Sequence, residues 1–379
     1  MKHVYFDSAA TTMIREEVIE KMTTVMRESY GNPSSTHSFG RSAKSIIENA
    51  RKTIAKQFNV TASEIVFTSG GTEADNLALR SAVRDLEVKT IITSKVEHHA
   101  VLHTLDQLKK EYGVIVEYVK LDSKGNVDLN HLEQLLHVPN KAMVSLMHIN
   151  NEIGTILDLK RVAELCKAHN ALFHSDTVQS VGHYRIDLQE IPLDFLAVSA
   201  HKFHGPKGVG FAFVRKKSNV KGLIFGGEQE RGVRAGTESI HNILGLEEAL
   251  KLAYTNLDEE REYITGLKSY FIEQLRTHVP GVLFNGESDN LEKSTYTVLS
   301  VCLPVSPEKG QILLFKLDLK GIACSKGSAC QSGSSLGSHV LNEILCEADL
   351  QKPSIRFSFS KYNTVEEIDY VISVLKEEL

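Results

Sequence analysis

No run in this 379-residue chain approaches the roughly 18 apolar residues of a membrane-spanning helix. The longest apolar stretches, residues 195–198 and 209–214, suit buried strands instead. The opening residues, MKHVYFDSAATT, hold no apolar h-region, so no secretory signal is expected and the cytoplasm is the expected compartment. Charge of neither sign dominates: 43 Lys and Arg stand against 48 Asp and Glu, a formal net charge of −5. Such a balance argues against nucleic acid or an anionic membrane as the main partner, since both need a basic face. Cysteine is scarce, and Cys166, Cys302, Cys324, Cys330 and Cys346 are odd in number and scattered. That pattern is no disulfide framework and lacks the short paired spacing of zinc sites; in a reducing compartment one thiol can be kept for its reactivity. Internal repeats, low-complexity tracts and Pro-rich linkers are missing, as are the Gly-Lys-Ser/Thr ending of a nucleotide P-loop and a Gly-x-Gly-x-x-Gly fingerprint.

What is there is the composition of an ordinary globular protein, 42% hydrophobic and 24% charged. Cores stop growing at about 250–300 residues, so two domains are expected. From about residue 15 to residue 215 helical periods alternate with short apolar runs, the mark of an α/β domain with a mostly parallel sheet. Residues 41–58 carry Ala43, Ile46, Ile47, Ala50, Ile54 and Phe58 on one helical face. Strands are expected at 90–93, 142–149, 171–175, 195–199 and 209–214, with a helix at 158–169 completing a βαβ crossover. From Leu246 to Leu275 helical spacing continues over some thirty residues, long enough to link two domains through a bend or short loop. Strand-like runs follow at 296–303 and 354–360, and Thr364 with Glu367 forms a capping box that opens a final helix.

Three segments carry chemistry. Lys202, in SAHKFHGPKG, follows an apolar run, where an open α/β sheet delivers side chains to its crevice and a partly desolvated amine becomes nucleophilic. Taken alone, that stretch reads better as a solvated loop lysine. Asp176, in HSDTVQS with Gln179 three residues on, ends another run and by itself reads equally as a helix cap. Together the two strand ends meet the need of pyridoxal phosphate, which takes a Lys for its aldehyde and a carboxylate for its ring nitrogen. The third segment, SGGTEADN at 69–76, is a glycine-rich turn leading into a helix, suited to a single cofactor phosphate.

These segments occur in order with NNEIG at 150–154, RGVRAGTE at 231–238 and GSACQ at 327–331. As a set they make the chain resemble the cysteine desulfurases, pyridoxal-phosphate enzymes related to the class V aminotransferases. The resemblance implies an α/β fold of the fold-type-I transferase kind, with a large cofactor-binding domain at 13–250. Residues 1–12 and 251–379 would form a smaller α+β domain carrying the cysteine loop. It implies a homodimer and assigns roles. Lys202 would bond the cofactor, Asp176 would partner the ring nitrogen, and Gln179 and Asn151 would lie around the ring hydroxyl. His98 would stack on the ring and exchange protons; it is chosen over His99 because the family pattern places Lys or a similar residue between that His and Ala100. Gly71, Thr72, Ser199 and His201 would hold the phosphate, joined by Thr237 from the partner subunit. Arg356 would bind the substrate carboxylate, near Asn151; a charge-assisted bond of about 1.5–3 kcal/mol is enough to orient an amino acid.

Cys330 lies among Gly and Ser residues that cannot pack a core, and such composition predicts a mobile loop. By resemblance it is the nucleophile that takes sulfur from L-cysteine as a persulfide and leaves L-alanine. Cys324 reads as a strand-end residue, a redox partner, or neither. No resident metal is expected, only a transient iron–sulfur contact at Cys330. The sulfur would pass to an acceptor protein, either an iron–sulfur cluster scaffold or an enzyme thiolating tRNA or a cofactor. Family members that dock a scaffold use a tail beyond the last helix, whereas Lys376-Glu-Glu-Leu379 closes this sequence, which keeps thiolation open. A selenocysteine lyase or an aminotransferase of the same fold is the alternative, and a non-enzymatic iron–sulfur scaffold is a third reading.

Overall fold

The computed structural model describes residues 3–216, 218–326 and 337–379. Its strands are β1 (Val4–Tyr5), β2 (Ile65–Thr68), β3 (Thr90–Thr93), β4 (Ile115–Tyr118), β5 (Ala142–Ser145), β6 (Leu172–Asp176), β7 (Phe195–Ser199), β8 (Gly210–Val214), β9 (Leu283–Phe284), β10 (Val298–Cys302), β11 (Ile322–Ala323) and β12 (Ser354–Ser358). The helices are α1 (Glu16–Glu28), α2 (Ser38–Gln57), α3 (Gly71–Arg84), α4 (His99–Tyr112), α5 (Leu129–Leu135), α6 (Leu159–Ala168), α7 (Ile240–Thr255), α8 (Leu257–His278), α9 (Pro307–Leu319), α10 (His339–Ile344), α11 (Glu347–Leu350) and α12 (Val365–Glu378).

Seven strands form one sheet in the order β2-β8-β7-β6-β5-β3-β4. The five from β7 to β4 run parallel, and β8 is antiparallel to both its neighbours. The reversal has a plain cause: the link from Ser199 to Gly210 is too short for the helical crossover that parallel strands need. Period-two alternation divides the strand residues between two apolar layers. Leu196 and Val198 pack with α2, α6 and α7, whereas Phe195 and Ala197 pack with α3 and α4. The expected α/β pattern is therefore present. β2 and β4 add two four-residue strands to it, and the expected strand at 142–149 ends at Ser145.

A separate core joins both ends of the chain. Val4 and Phe6 pack with α8, the antiparallel β12-β10-β9 sheet and α12. The helical run from Leu246 to Leu275 is not one rod, because α7 and α8 meet at Asn256, whose φ of −101° and ψ of 10° leave the helical range. Asp258, Glu259 and Glu260 then supply the acidic first turn of a new helix, complementing its dipole. Leu257 belongs to the first core and Ile264 to the second. The final helix starts as expected, with Thr364 Oγ1 accepting from Glu367 N at 3.3 Å while the Glu367 carboxylate accepts from Thr364 N at 3.2 Å.

Candidate active site

The carboxyl ends of β3, β5, β6 and β7 open onto a cavity of about 530 Å³, a size suited to a small organic cofactor with substrate. Lys202, Asp176, Gln179 and His98 line it, as do Gly71, Thr72, Ser199 and His201. Asn151 and Arg356 complete the set of nominated residues gathered there. Two nominated residues remain. Thr237 is exposed and does not line this cavity, and Cys330 lies outside the described residues.

Lys202 sits in a single 3-10 turn just past the end of β7. Its Nζ donates to the carbonyls of Ala9 and Ala10 at 2.6 and 2.8 Å, so the N-terminal SAATT stretch forms the floor beneath the amine. The same floor accepts from Gln179 Nε2 at Ala9 O, 3.0 Å away. Next to the lysine, burial and then the charges of Lys202 and Lys207 push His201 down to about 4, leaving a neutral imidazole whose Nδ1 lies 3.1 Å from Thr11 Oγ1.

Asp176 ends β6 and accepts from Val178 N at 2.9 Å. Burial raises its pKa, against the opposing pull of His98, the Val178 amide and Lys202. A buried carboxyl on the cavity wall is the partner that a protonated pyridine nitrogen needs. Two further buried acids surround it. Asp75 is raised well above the usual carboxylate range, by burial first and then by Asp176 and Glu97. Glu97 is pushed up to about 8 by burial, even though its carboxyl accepts from Met147 N at 3.1 and 3.0 Å and from Ser94 Oγ at 2.9 Å. Its proton has a consequence for folding. Below the ordinary value of 4.5 the folded and unfolded chains both carry it. As pH rises toward 8 the unfolded chain releases it first, so stability is lost across that window. Urea unfolding of cofactor-free protein isolates this contribution as a difference: from about pH 5 to about pH 8 the parent should lose stability relative to Glu97→Gln. An equal slope in both proteins would refute the assignment.

At the other end of the cavity α3 begins at Gly71, directly behind Gly70, whose φ of +152° is costly for any other residue. A Cβ on Gly71 would stand 2.5 Å from Val178 Cγ2, so only glycine lets the helix start this close to the site. The first-turn amides of α3, with Thr72, Ser199 and His201 around them, make a cradle for one anionic group.

Arg356 enters from the second core on β12 and is 1% exposed. Its Nη1 donates to Asn151 O at 2.8 Å and its Nη2 to Asp7 Oδ1 at 2.9 Å, while buried Nε has no hydrogen-bond partner among the described residues. A buried guanidinium with an unused N–H on a cavity wall suits a carboxylate ligand. His98 caps α4, its Nδ1 accepting from Ala100 N at 3.1 Å, so the neutral ring carries its proton on Nε2.

Sequence reasoning did not nominate Asp7, Asp75, Glu97 or Glu152. Asp7, Asp75 and Glu152 lie within FDSAATT, SGGTEADN and NNEIG, and Glu97 directly precedes His98, so the segments are legible though these residues' parts in the site are not. Cys324 is now clearer. Burial, with Asp7 adding to it, pushes its thiol up to about 12, which makes it a poor nucleophile. Cys166 and Cys302 are buried and Cys346 is exposed, all three as free thiols.

The family model for class V aminotransferases matches residues 4–371. A cysteine desulfurase IscS of Dictyoglomus turgidum is 41% identical over 377 residues, covering 99% of this chain and 94% of that protein. A putative cysteine desulfurase, IscS 1 of Bacillus subtilis, is 43% identical over 373 residues, 97% of this chain and 96% of its own. Among solved structures, a NifS-like protein superposes with a TM-score of 0.91 at 38% identity, covering 99% of each chain. A structure of SspA in complex with cysteine gives a TM-score of 0.82 at 31% identity, over 95% of this chain and 100% of that one. The chain belongs to the class V aminotransferase family and, within it, to the cysteine desulfurases.

Proposed function

We propose that this enzyme takes sulfur from L-cysteine onto Cys330 as a persulfide and releases L-alanine, with pyridoxal phosphate carried on Lys202. The observation that supports it most is the convergence of Lys202, Asp176 and Arg356, from three separate elements, on one cavity. The SspA structure, which holds cysteine, is a relative with the same fold. The residues suit the cofactor: an amine for its aldehyde, a dry carboxyl for its ring nitrogen, and a glycine-lined helix start for its phosphate. When bound, that group supplies an electrophilic carbon for the substrate amine and a ring that accepts the electron pair left at Cα.

The side chains divide the remaining work. Arg356 grips the substrate carboxylate and sets its orientation. Lys202, once displaced, takes the Cα proton, and Asp176 keeps the ring nitrogen protonated. His98, with its proton on Nε2, serves the substrate thiol. The Cys330 thiolate then bonds to the substrate sulfur as the bond from Cβ to sulfur breaks. The electron pair of that bond stays on carbon, which is protonated on the way to alanine, and the sulfur stays on Cys330.

The assembly we propose is a homodimer in which Thr237 reaches the partner's phosphate site. Exposed Tyr30, Phe39, Ile224 and Phe225 favour it: Tyr30 and Phe39 stack at 5.5 Å, and Gln229 links their segment to Gly236, next to Thr237. We assign 13–250 to the cofactor domain and 1–12 with 251–379 to the smaller one. No described helix is long and apolar enough to cross a membrane, and we place the enzyme in the cytoplasm, handing sulfur to a scaffold or thiolation enzyme. Incubating the holoenzyme with L-cysteine and no keto acid should release alanine. An aminotransferase would release none, and that result would sink the proposal.

A further inference from the structure

His98 is flanked by two residues that a single side chain from the other end of the chain holds. His339 is the first residue of α10, and it lines the same cavity. Its Nε2 lies 2.9 Å from the backbone carbonyl of Glu97. A carbonyl only accepts, so Nε2 carries the proton and donates. Its ring lies 4.5 Å, centroid to centroid, from that of His99, tilted by 38°. The helix behind it is held independently. Ser338 Oγ donates to Glu152 Oε2, Lys95 Nζ pairs with Glu343 at 3.1 Å, and Val340, Leu341 and Ile344 pack on Val96 and Ile153. The base of the turn is fixed as well, since the buried Glu97 carboxyl accepts from Met147 N and Ser94 Oγ. Residues 97 and 99 are thus clamped, while His98 between them is held through its own Nδ1 to Ala100 N.

We propose that His339 is a positioning residue for His98: by gripping Glu97 O and the His99 ring, it sets the angle at which the His98 ring faces the cofactor and substrate. The proposal rests on the reading that His98 works in the reaction. His339 touches neither reacting atom nor cofactor in this scheme; it acts only through the turn it clamps. The donated hydrogen bond is the essential part and the ring contact is secondary, because the bond fixes the main chain directly beside His98.

The test uses holoenzyme in four variants: His339→Phe, His339→Gln, His98→Ala, and His98→Ala combined with His339→Phe. Phenylalanine keeps a ring against His99 but cannot donate, whereas glutamine can donate to Glu97 O without the ring. His339→Phe should lower kcat about tenfold, the scale of losing one hydrogen bond, with KM for cysteine changed by less than about twofold. It should also change the circular dichroism of the bound cofactor, which reports ring orientation and which a purely structural change elsewhere would leave alone. His339→Gln should recover most of kcat and the parent dichroism; it also guards against a phenylalanine variant that fails to fold. In the His98→Ala background, His339→Phe should cost nothing further, because residues acting through one another are not additive. If His339→Phe matches the parent in kcat and dichroism, or slows His98→Ala by the same factor as the parent, the proposal is overturned. If His98→Ala alone runs at the parent rate, the reading of His98 fails and the proposal falls with it.

Discussion

Replacing Lys202 with alanine should reduce alanine formation by at least about 10³-fold and leave no cofactor attached to the chain after borohydride reduction. The large factor reflects two jobs lost at once, covalent attachment and removal of the Cα proton. Cofactor should still bind, because the α3 cradle around Gly71 and the Asp176 carboxyl do not depend on the lysine. Folding should survive too. The Lys202 amine donates to the carbonyls of Ala9 and Ala10, and without it Gln179 Nε2 still serves Ala9 O. Mass spectrometry after borohydride decides the matter. Cofactor trapped on another lysine of the variant would move the attachment point elsewhere.

Arg356→Ala should be almost as damaging, and to two measurable quantities. As a ligand for the substrate carboxylate, the guanidinium contributes charge-assisted bonds of about 1.5–3 kcal/mol each, so kcat/KM for cysteine should fall by roughly 10²-fold or more. As a structural group it is 1% exposed and bridges β12 to Asp7 and Asn151. Removing one member of a buried pair typically costs about 3–5 kcal/mol. The loss should fall toward the low end here, because Asp7 Oδ1 keeps its bond from Ser325 Oγ at 2.8 Å. Arg356→Lys separates the effects: it keeps the charge beside Asp7 but lacks the planar fork, so stability should recover further than kcat/KM. A lysine variant with parent kcat/KM would remove Arg356 from substrate recognition.

How much of this was legible in the sequence depends on the range of the physics involved. Lys202 and Asp176 stood out because each follows an apolar run, and the end of a buried strand is an unusual place for an ionisable group. The glycine turn before α3 was visible for a similar local reason. Asp7 was not, since its part in the site comes from Arg356, 349 residues away, and no local pattern encodes that contact. Asp75 and Glu97 look like helix and loop acids until the fold buries them around Asp176. The fold shows the same division. The α/β alternation and the capping box of α12 follow from neighbours in sequence, whereas β4 is a mostly exposed edge strand interrupted by Glu117 and leaves no buried apolar run to mark it. A bend within the run from Leu246 to Leu275 was expected, but its place at Asn256 was hidden because apolar spacing runs on across it, serving the first core up to Leu257 and the second from Ile264.

The central claim is that Cys330 receives the sulfur that L-cysteine loses. The most direct measurement incubates holoenzyme briefly with sulfur-labelled L-cysteine and no acceptor or reductant, then weighs the peptide that holds Cys330. The account predicts one labelled sulfur added to that peptide, in step with the alanine released, and none on the peptides of Cys324 or Cys346. Alanine released with the label on another cysteine, or only as free sulfide while Cys330 stays unmodified, would contradict it.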